Sequence, residues 1–428
     1  MLDRKFIVEH AEEVKANCTH RGIDVDVDRL VELEHKRREL LQQVQEFNRR
    51  ANEVSKSIGK TKDPAEREAR KEEGRRLREQ KEAAQADHDR LDEEILAIQS
   101  RIPNMTHPDA PVGDESDSRE VFRGAAPPPT FDFAPRDHVE LGRMLDLIDF
   151  EGGARVAGHG FYFLRNEAVL LELALQRFAV DLLVKEGFTP VMTPDLAYRE
   201  ILKGVGYIPR GPETQIYSVE DSPLSLVATA EITLGGWQAD QVLDADQLPM
   251  RLVGISHCFR TEAGAAGRAS RGLYRVHQFT KVEMFAFTLP DQSEEMLESF
   301  RQLECRIFDA LELPYRVIDT ATGDLGGPAY RKYDLEAWMP SRGEGGAWGE
   351  VTSTSNCTDY QARRLNIRFK RKGEKGTQFV HTLNGTAVAI SRALLAILEN
   401  NQQADGSVSI PRVLQPWVGC ERIEPKAG

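Results

Sequence analysis

The chain predicts an α+β fold, with an antiparallel pair of long helices at the N-terminus and a larger domain built on a sheet after it. Three observations carry this. Two amphipathic stretches, with apolar residues mostly three or four apart or in heptad steps, are separated by a short breaker. A Pro/Gly/Asp-rich segment follows them and ends in the proline run Pro127–Pro129. Beyond it helical and strand patterns alternate, with neither the Gly-rich fingerprint of a dinucleotide fold nor a GxxxxGKS/T phosphate loop. If ATP is bound, side chains on a sheet must bind it.

The first stretch, from Val27 to about Lys60, carries Leu30, Leu33, Leu40, Val44, Phe47, Ala51, Val54 and Ile58, interrupted only by Arg37. Gly59–Pro64 breaks it, and the second stretch repeats the spacing with Leu77, Ala84, Leu91, Ile95, Ile98 and Ile102. Two such segments joined by a short turn make an antiparallel hairpin, expected over about residues 28–102. About thirty residues of helix reach roughly 45 Å, too long and thin for a compact domain, so the hairpin is an arm. The expected division is an N-terminal domain at 1–105, a linker at 106–135 and the sheet-bearing domain at 136–428.

The net charge of −13 excludes a globally basic nucleic-acid binder, so any phosphate contact must come from a local patch. Residues 31–80 hold such a patch: fourteen Lys/Arg against eleven Asp/Glu, a balance of +3. Arg49, Arg50, Lys56, Lys60, Lys62, Arg67, Arg70, Lys71, Arg75, Arg76 and Arg78 crowd towards the tip. Two readings stand side by side, a solvated coiled-coil face with mixed salt pairs and an RNA-backbone contact surface. No apolar run approaches membrane-spanning length, and MLDRKFIVEH lacks the apolar core of a signal peptide, so no membrane and a cytoplasmic location are expected. Five scattered cysteines, with no CxxC and no Cys/His cluster, indicate neither a disulfide framework nor zinc.

The most informative stretch is Gly254–Phe285, GISHCFRTEAGAAGRASRGLYRVHQFTKVEMF. Arg260 and Glu262 are read as a like-facing pair on an outgoing strand, followed by a flexible Gly/Ala/Ser loop. On the return strand Arg275, Phe279 and Glu283 stand four apart and share a face. A cation, an aromatic ring and carboxylates on one open face suit a polyanionic nucleotide beside a small charged substrate. The same pattern also describes an ordinary salt-bridged surface hairpin. Cys258, His257 and His277 read as strand packing residues, and Asn384-Gly385 taken alone could be only a turn.

The stretch resembles the second signature motif of class II aminoacyl-tRNA synthetases, and its wording is similar to the seryl-tRNA synthetase family. The likeness runs nearly end to end. FEGGARVAGHGFYFLRNEAVLLELAL resembles the family's entry to its catalytic domain, and GFTPVMTPDL resembles motif 1, with Pro194 in the place of its proline. Thr229-Ala230-Glu231 stands where the family has its serine-binding TAE loop. Glu350–Ser353 with SNCTDYQARR matches a further stretch, and LNGTAVAISRALLAILENNQQADGSVSIPRVLQPW resembles motif 3, with its arginine at Arg392. The resemblance implies a class II catalytic domain at 136–428, an antiparallel sheet flanked by helices, preceded by a tRNA-binding coiled-coil arm. Motif 1 implies a homodimer with tRNA bound across subunits.

The roles that the resemblance implies are specific. Arg260 bridges the serine carboxylate and the α-phosphate, and Arg392 reaches the γ-phosphate end of a bent ATP; these two are the expected catalytic residues. Thr261, Glu262, Arg275, Val276, Phe279, Glu350, Val351, Thr352 and Ser353 complete the expected ATP site. In it Phe279 stacks on adenine, with Arg392 offered as the opposite face, and Glu262 accepts from the adenine amino group. Glu350 and Ser353 are the candidates for Mg²⁺, a hard cation that wants carboxylate and hydroxyl oxygen. Thr229, Ala230, Glu231, Arg260, Glu283, Asn384 and Thr386 form the expected pocket for L-serine. Arg49, Arg50, Lys56, Arg67, Arg70, Arg75, Arg76 and Arg78 are the candidate contacts to tRNA(Ser), and to tRNA(Sec) where one exists.

Each charged residue has a plainer reading when taken singly. Glu231 and Glu283 would serve as salt-bridge partners of nearby arginines, and Arg392 as a helix N-terminal surface residue. Departures from the family pattern are Ala387 and Ser391, where motif 3 often has glycine, and a long Gly-rich stretch, SRGEGGAWG, before Glu350. Two other functions compete with serine–tRNA ligation. A ligase loading a carrier protein would not need the arm, and a silent RNA-binding paralogue would be expected to lose the phosphate- or serine-binding residues.

Overall fold

The structure is a computed structural model that describes residues 1–207, 215–262 and 272–426. The Gly/Ala/Ser loop expected after Glu262 lies outside the described residues. The chain divides into two compact units, Met1–Met105 and Thr106–Gly428.

In the first unit two short helices, α1 (Arg4–Glu9) and α2 (Ala11–His20), precede the hairpin of α3 (Val27–Ile58) and α4 (Pro64–Gln99). Asp26 starts α3 by accepting from the Arg29 amide at 2.8 Å. Asp63 starts α4 with Pro64 at its first turn, where a missing N–H costs nothing. The apolar seam forms as the spacing predicts, with Leu30, Leu33 and Val44 buried on α3 and Leu77, Ala84 and Ile95 on α4. Arg37 interrupts that seam for a reason visible only across the hairpin. Its Nε donates to Glu34 at 2.8 Å, and its Nη1 lies 3.0 Å from His88 of α4. Glu34, only 2% exposed, also takes Arg38 at 3.0 Å. The interruption is a buried polar cluster.

The second unit is organised by an eight-stranded sheet. In chain order its strands are β1 (Arg119–Arg123), β2 (Thr189–Met192), β3 (Met250–Phe259), β4 (Gln278–Thr288), β5 (Tyr315–Asp319), β6 (Arg331–Met339), β7 (Ala347–Asn356) and β8 (His381–Ala389). Their spatial order is β1-β5-β6-β7-β8-β4-β3-β2. Every neighbouring pair is antiparallel except β2 with β3, the parallel edge. Residues 119–123 fall within the stretch expected as linker, yet they pair with β5 as an edge strand. Five exposed residues at a sheet edge leave no apolar alternation to read.

Alternation along β4 separates two cores. Met284 and Ala286 face a core shared with α5 (His138–Met144), α6 (Glu167–Lys185), α8 (Ser293–Ala310) and α9 (Ile390–Asn400). Phe285 and Phe287 face a second core with α7 (Ala230–Trp237). Residues 279, 281 and 283 continue the second face past its apolar end, where it meets a cavity.

Candidate active site

β3 and β4 are in register from Met250↔Phe287 to Phe259↔Gln278, and the ladder stops there. Arg260 and Glu262 therefore lie just beyond β3 and not on it; Glu262 has a left-handed φ of 47°, a costly conformation for a residue with a Cβ. Arg275 likewise precedes β4, between a short 3-10 turn at Gly272–Tyr274 and the strand. The shared face expected of a regular hairpin holds only for Phe279 and Glu283. Arg260, Glu262 and Arg275 reach the same cavity from irregular backbone, with Arg275 Nη1 3.3 Å from Glu262.

The cavity, about 190 Å³, is lined by Thr229, Glu231, Arg260, Glu262, Arg275, Val276, Phe279, Glu283, Glu350, Val351, Thr352, Ser353, Asn384, Thr386 and Arg392. Of the expected ATP and serine residues, Ala230 and Thr261 stand beside it. Ala230 is buried at the first position of α7, and the Thr261 amide donates to the Gln215 carbonyl at 3.3 Å. Tyr207, Tyr274, Lys281, Ala389 and Ser391 line the cavity without having been expected there. Lys281 was legible: it sits between Phe279 and Glu283 at the strand period. The two tyrosines come from segments with no spacing signal.

At the carboxylate cluster Lys281 Nζ is 2.6 Å from Glu283 Oε2, and Thr386 donates to the same oxygen at 3.2 Å. Glu283 and Thr386 face each other across the β4–β8 register, which explains their meeting. Glu231 accepts from Gln361 at 2.7 Å and from Asn384 at 2.9 Å. Its position is set by Thr229, whose hydroxyl caps α7 by accepting the Glu231 amide at 3.2 Å. Burial, reinforced by the charge of Glu283, pushes the Glu231 carboxyl up to about 7 despite Gln361, Lys281 and Arg260. An arriving ammonium would relieve both causes.

The cations sit against aromatic rings. Arg260 lies 5.3 Å over Phe279 and donates from Nε to the Ala228 carbonyl at 3.4 Å. Burial opposes its charge, but surrounding groups that include Glu262 and Glu350 outweigh this and hold its proton more firmly than usual. Arg392, in the first turn of α9, lies 4.7 Å from the Tyr274 ring, donates to the Glu350 carbonyl at 3.0 Å and pairs with the Glu350 carboxylate at 3.4 Å. Burial acts to raise the Glu350 carboxyl, yet Arg392, Lys332 and Arg260 hold it below its usual range.

Glu350 and Ser353 are three residues apart and on a regular strand would face opposite sides. Between Leu335↔Thr352 and Glu336↔Glu350 the register slips by one, leaving Val351 as a bulge. The bulge turns both oxygens into the cavity. Among the described residues no group of three or more His, Cys, Asp or Glu forms a metal cage. Mg²⁺ needs none, since it commonly takes one or two protein oxygens and completes its shell with phosphates and water. The Glu350 side chain, 43% exposed, and the Ser353 hydroxyl fit that part.

His257, expected as a packing residue, is 54% exposed along its side chain and lies 2.9 Å from Asp195. Cys258 is fully buried. His277 stacks on Phe161 with centroids 5.3 Å apart and meets the Tyr217 hydroxyl at 2.6 Å.

Residues 1–106 match the family model described as the seryl-tRNA synthetase N-terminal domain, and residues 217–401 match the tRNA synthetase class II core domain (G, H, P, S and T). Serine--tRNA ligase of Rhodopirellula baltica is 66% identical over 99% of this chain and 100% of its own length. The enzyme of the same name from Rubrobacter xylanophilus is 55% identical, covering 99% of each. Among solved structures, seryl-tRNA synthetase from Pyrococcus horikoshii complexed with ATP has a TM-score of 0.92 at 39% identity and covers 100% of both chains. Cytoplasmic serine-tRNA ligase from Naegleria fowleri in complex with AMP has a TM-score of 0.88 at 31% identity, covering 100% of this chain and 99% of its own. Likeness of sequence and of fold thus runs along the whole length of these relatives, and the chain belongs to the seryl-tRNA synthetase family.

Proposed function

We propose that the chain is a serine–tRNA ligase. It joins L-serine and ATP into seryl-adenylate and pyrophosphate, then passes serine to the 3′-terminal adenosine of tRNA(Ser), and of tRNA(Sec) where the cell holds one. The observation that carries this reading is one cavity holding two carboxylates, the half-buried Glu231 and the buried Glu283, and three arginines, Arg260, Arg275 and Arg392. Carboxylates suit the ammonium of a small amino acid, and arginines suit its carboxylate and a triphosphate.

Activation brings two anions together, the serine carboxylate and the α-phosphate. Arg260 offsets their repulsion and the charge that builds as the carboxylate oxygen attacks phosphorus and pyrophosphate leaves. Phe279 offers a face for adenine and Glu262 an acceptor for its amino group; Arg275 and Arg392 address the phosphates. Mg²⁺, held by Glu350 and Ser353 with the nucleotide, would neutralise phosphate charge. Asn384 and Thr386 are set to hydrogen-bond the serine hydroxyl, so alanine would leave polar groups buried and unpaired. No side chain need act as general base for adenylate formation, because positioning and charge neutralisation suffice.

The wider assembly is part of the same proposal. Val169, Leu170 and Leu173 of α6 are 40%, 41% and 56% exposed and Met192 of β2 is 78% exposed, an apolar set on the motif 1 elements that a second copy would cover. On the arm Arg49 is paired with Glu46 and Glu53, Arg70 with Glu66 and Arg75 with Glu72, whereas Arg50 approaches Glu73 only at 3.9 Å. Among the described residues Lys56, Arg67, Arg76 and Arg78 carry no ion pair and are the freer candidates for RNA phosphate. No helix of the described residues is long and apolar enough to cross a membrane. The proposed setting is the cytoplasm, with tRNA held across a homodimer.

Amino-acid-dependent ATP–pyrophosphate exchange across all twenty amino acids, with and without Mg²⁺, tests the reading. Exchange with serine alone, dependent on the metal, is expected. Exchange driven by another small amino acid would redirect it to a carrier-protein ligase, and no exchange from folded protein would leave an RNA-binding paralogue.

A further inference from the structure

The Gly-rich stretch SRGEGGAWG has no part in the reaction derived above, yet it is held firmly beside the cavity. Its first six residues lie between β6 and β7 and its last three open β7, with Gly343, Gly345 and Gly346 in left-handed conformations. Its arginine, Arg342, lies 4.8 Å from the centroid of the Tyr274 ring. Arg392 lies 4.7 Å from that same ring and donates from Nε to the Tyr274 carbonyl at 3.3 Å. Arg342 Nη1 is buried and has no hydrogen-bond partner among the described residues. It packs on the backbone of Gly349, where a Cβ would stand 2.4 Å from it.

One buried carboxylate ties the two segments together. Glu399, at the end of α9, accepts from the Ser341 amide at 3.1 Å and the Ser341 hydroxyl at 2.8 Å. His138 Nδ1 meets the same Glu399 at 2.7 Å, and His138 Nε2 accepts the Leu273 amide at 3.0 Å. The amide can only donate, so the neutral imidazole carries its proton on Nδ1 and donates it to Glu399. Ser341 and Leu273, the chain neighbours of Arg342 and Tyr274, are thereby set by one relay.

We propose that Arg342 is a positioning residue for the triphosphate of ATP: it holds Tyr274 against Arg392 and adds a second positive charge beside that ring. The inference rests on the reading of Arg392 as a triphosphate ligand. A guanidinium within about 6 Å of a ring centroid is attracted to the ring face, and two of them on one ring repel each other. That repulsion is relieved when an anion arrives, so Arg342 contributes to binding of the nucleotide's phosphate end and of pyrophosphate. It contributes nothing to serine.

The test is pyrophosphate exchange by the full-length protein, with KM measured for ATP, pyrophosphate and serine. Arg342→Ala is expected to raise KM for ATP and for pyrophosphate roughly threefold to tenfold, with KM for serine unchanged. Arg342→Lys, which keeps the charge without the planar stack, should recover part of that loss, and it serves alone if the alanine variant does not fold. Unchanged KM for ATP and pyrophosphate, or an equal rise for serine, would overturn the proposal, since a merely structural loop would not discriminate between substrates. Arg392→Ala separates this outcome from failure of the underlying reading. If that variant exchanges at the wild-type KM for ATP, the triphosphate site itself is misplaced, and the role of Arg342 falls with it.

Discussion

Glu231 lies close enough to Glu283 to feel its charge; Glu283 is buried and Glu231 half-buried, so each surrounding donor offsets a cost that neither carboxylate could bear alone. With its pKa raised from 4.5 to about 7, Glu231 of the free enzyme is increasingly protonated as the pH falls below neutrality. Serine's ammonium requires the carboxylate. KM for serine should therefore rise as pH falls through 7, while KM for ATP stays flatter; a serine KM independent of pH between 6 and 8 would contradict the assignment. Arg260 is the other residue whose removal should be decisive. Arg260→Ala should lower pyrophosphate exchange by on the order of a hundredfold or more, with the thermal unfolding transition retained. Normal exchange in that variant would remove Arg260 from the chemistry.

At the scale of single elements, breaks in regularity shape the cavity. The bulge at Val351 turns Glu350 and Ser353 to one side, and the strand end at Phe259 frees Arg260 and Glu262 from the pleat. Neither is legible in the spacing, because a bulge is decided by pairing with a neighbouring strand far away in sequence. In the arm the break is chemical. Arg37 and Arg38 satisfy Glu34, so Glu34→Ala should leave Arg37 half-desolvated and destabilise the first unit by about 2 kcal/mol. Denaturant unfolding followed by helical signal would measure it, and a change below about 0.5 kcal/mol would mean that water already serves these arginines.

At the scale of the molecule the proposed function assigns the two chemical steps to different units. Deleting residues 28–102 should leave adenylate formation close to wild type and abolish transfer to tRNA, checked by pyrophosphate exchange beside tRNA charging. Equal loss of both would show that the arm also supports the cavity. Patterns along one strand or helix were open to the sequence: the heptads from Leu30 to Ile102 with their breaker, and the ordered motifs from Pro194 to Arg392 that imply the family and most lining residues. What required the tertiary structure was every meeting between segments. Glu283 with Thr386, Arg37 with His88, and Tyr274 with Arg342 and Arg392 bring together residues far apart in the chain. Periodicity states which face a residue shares with its own element. It carries no information about which other element will pack there, and burial, strand register and paired charge decide that only when the chain is folded.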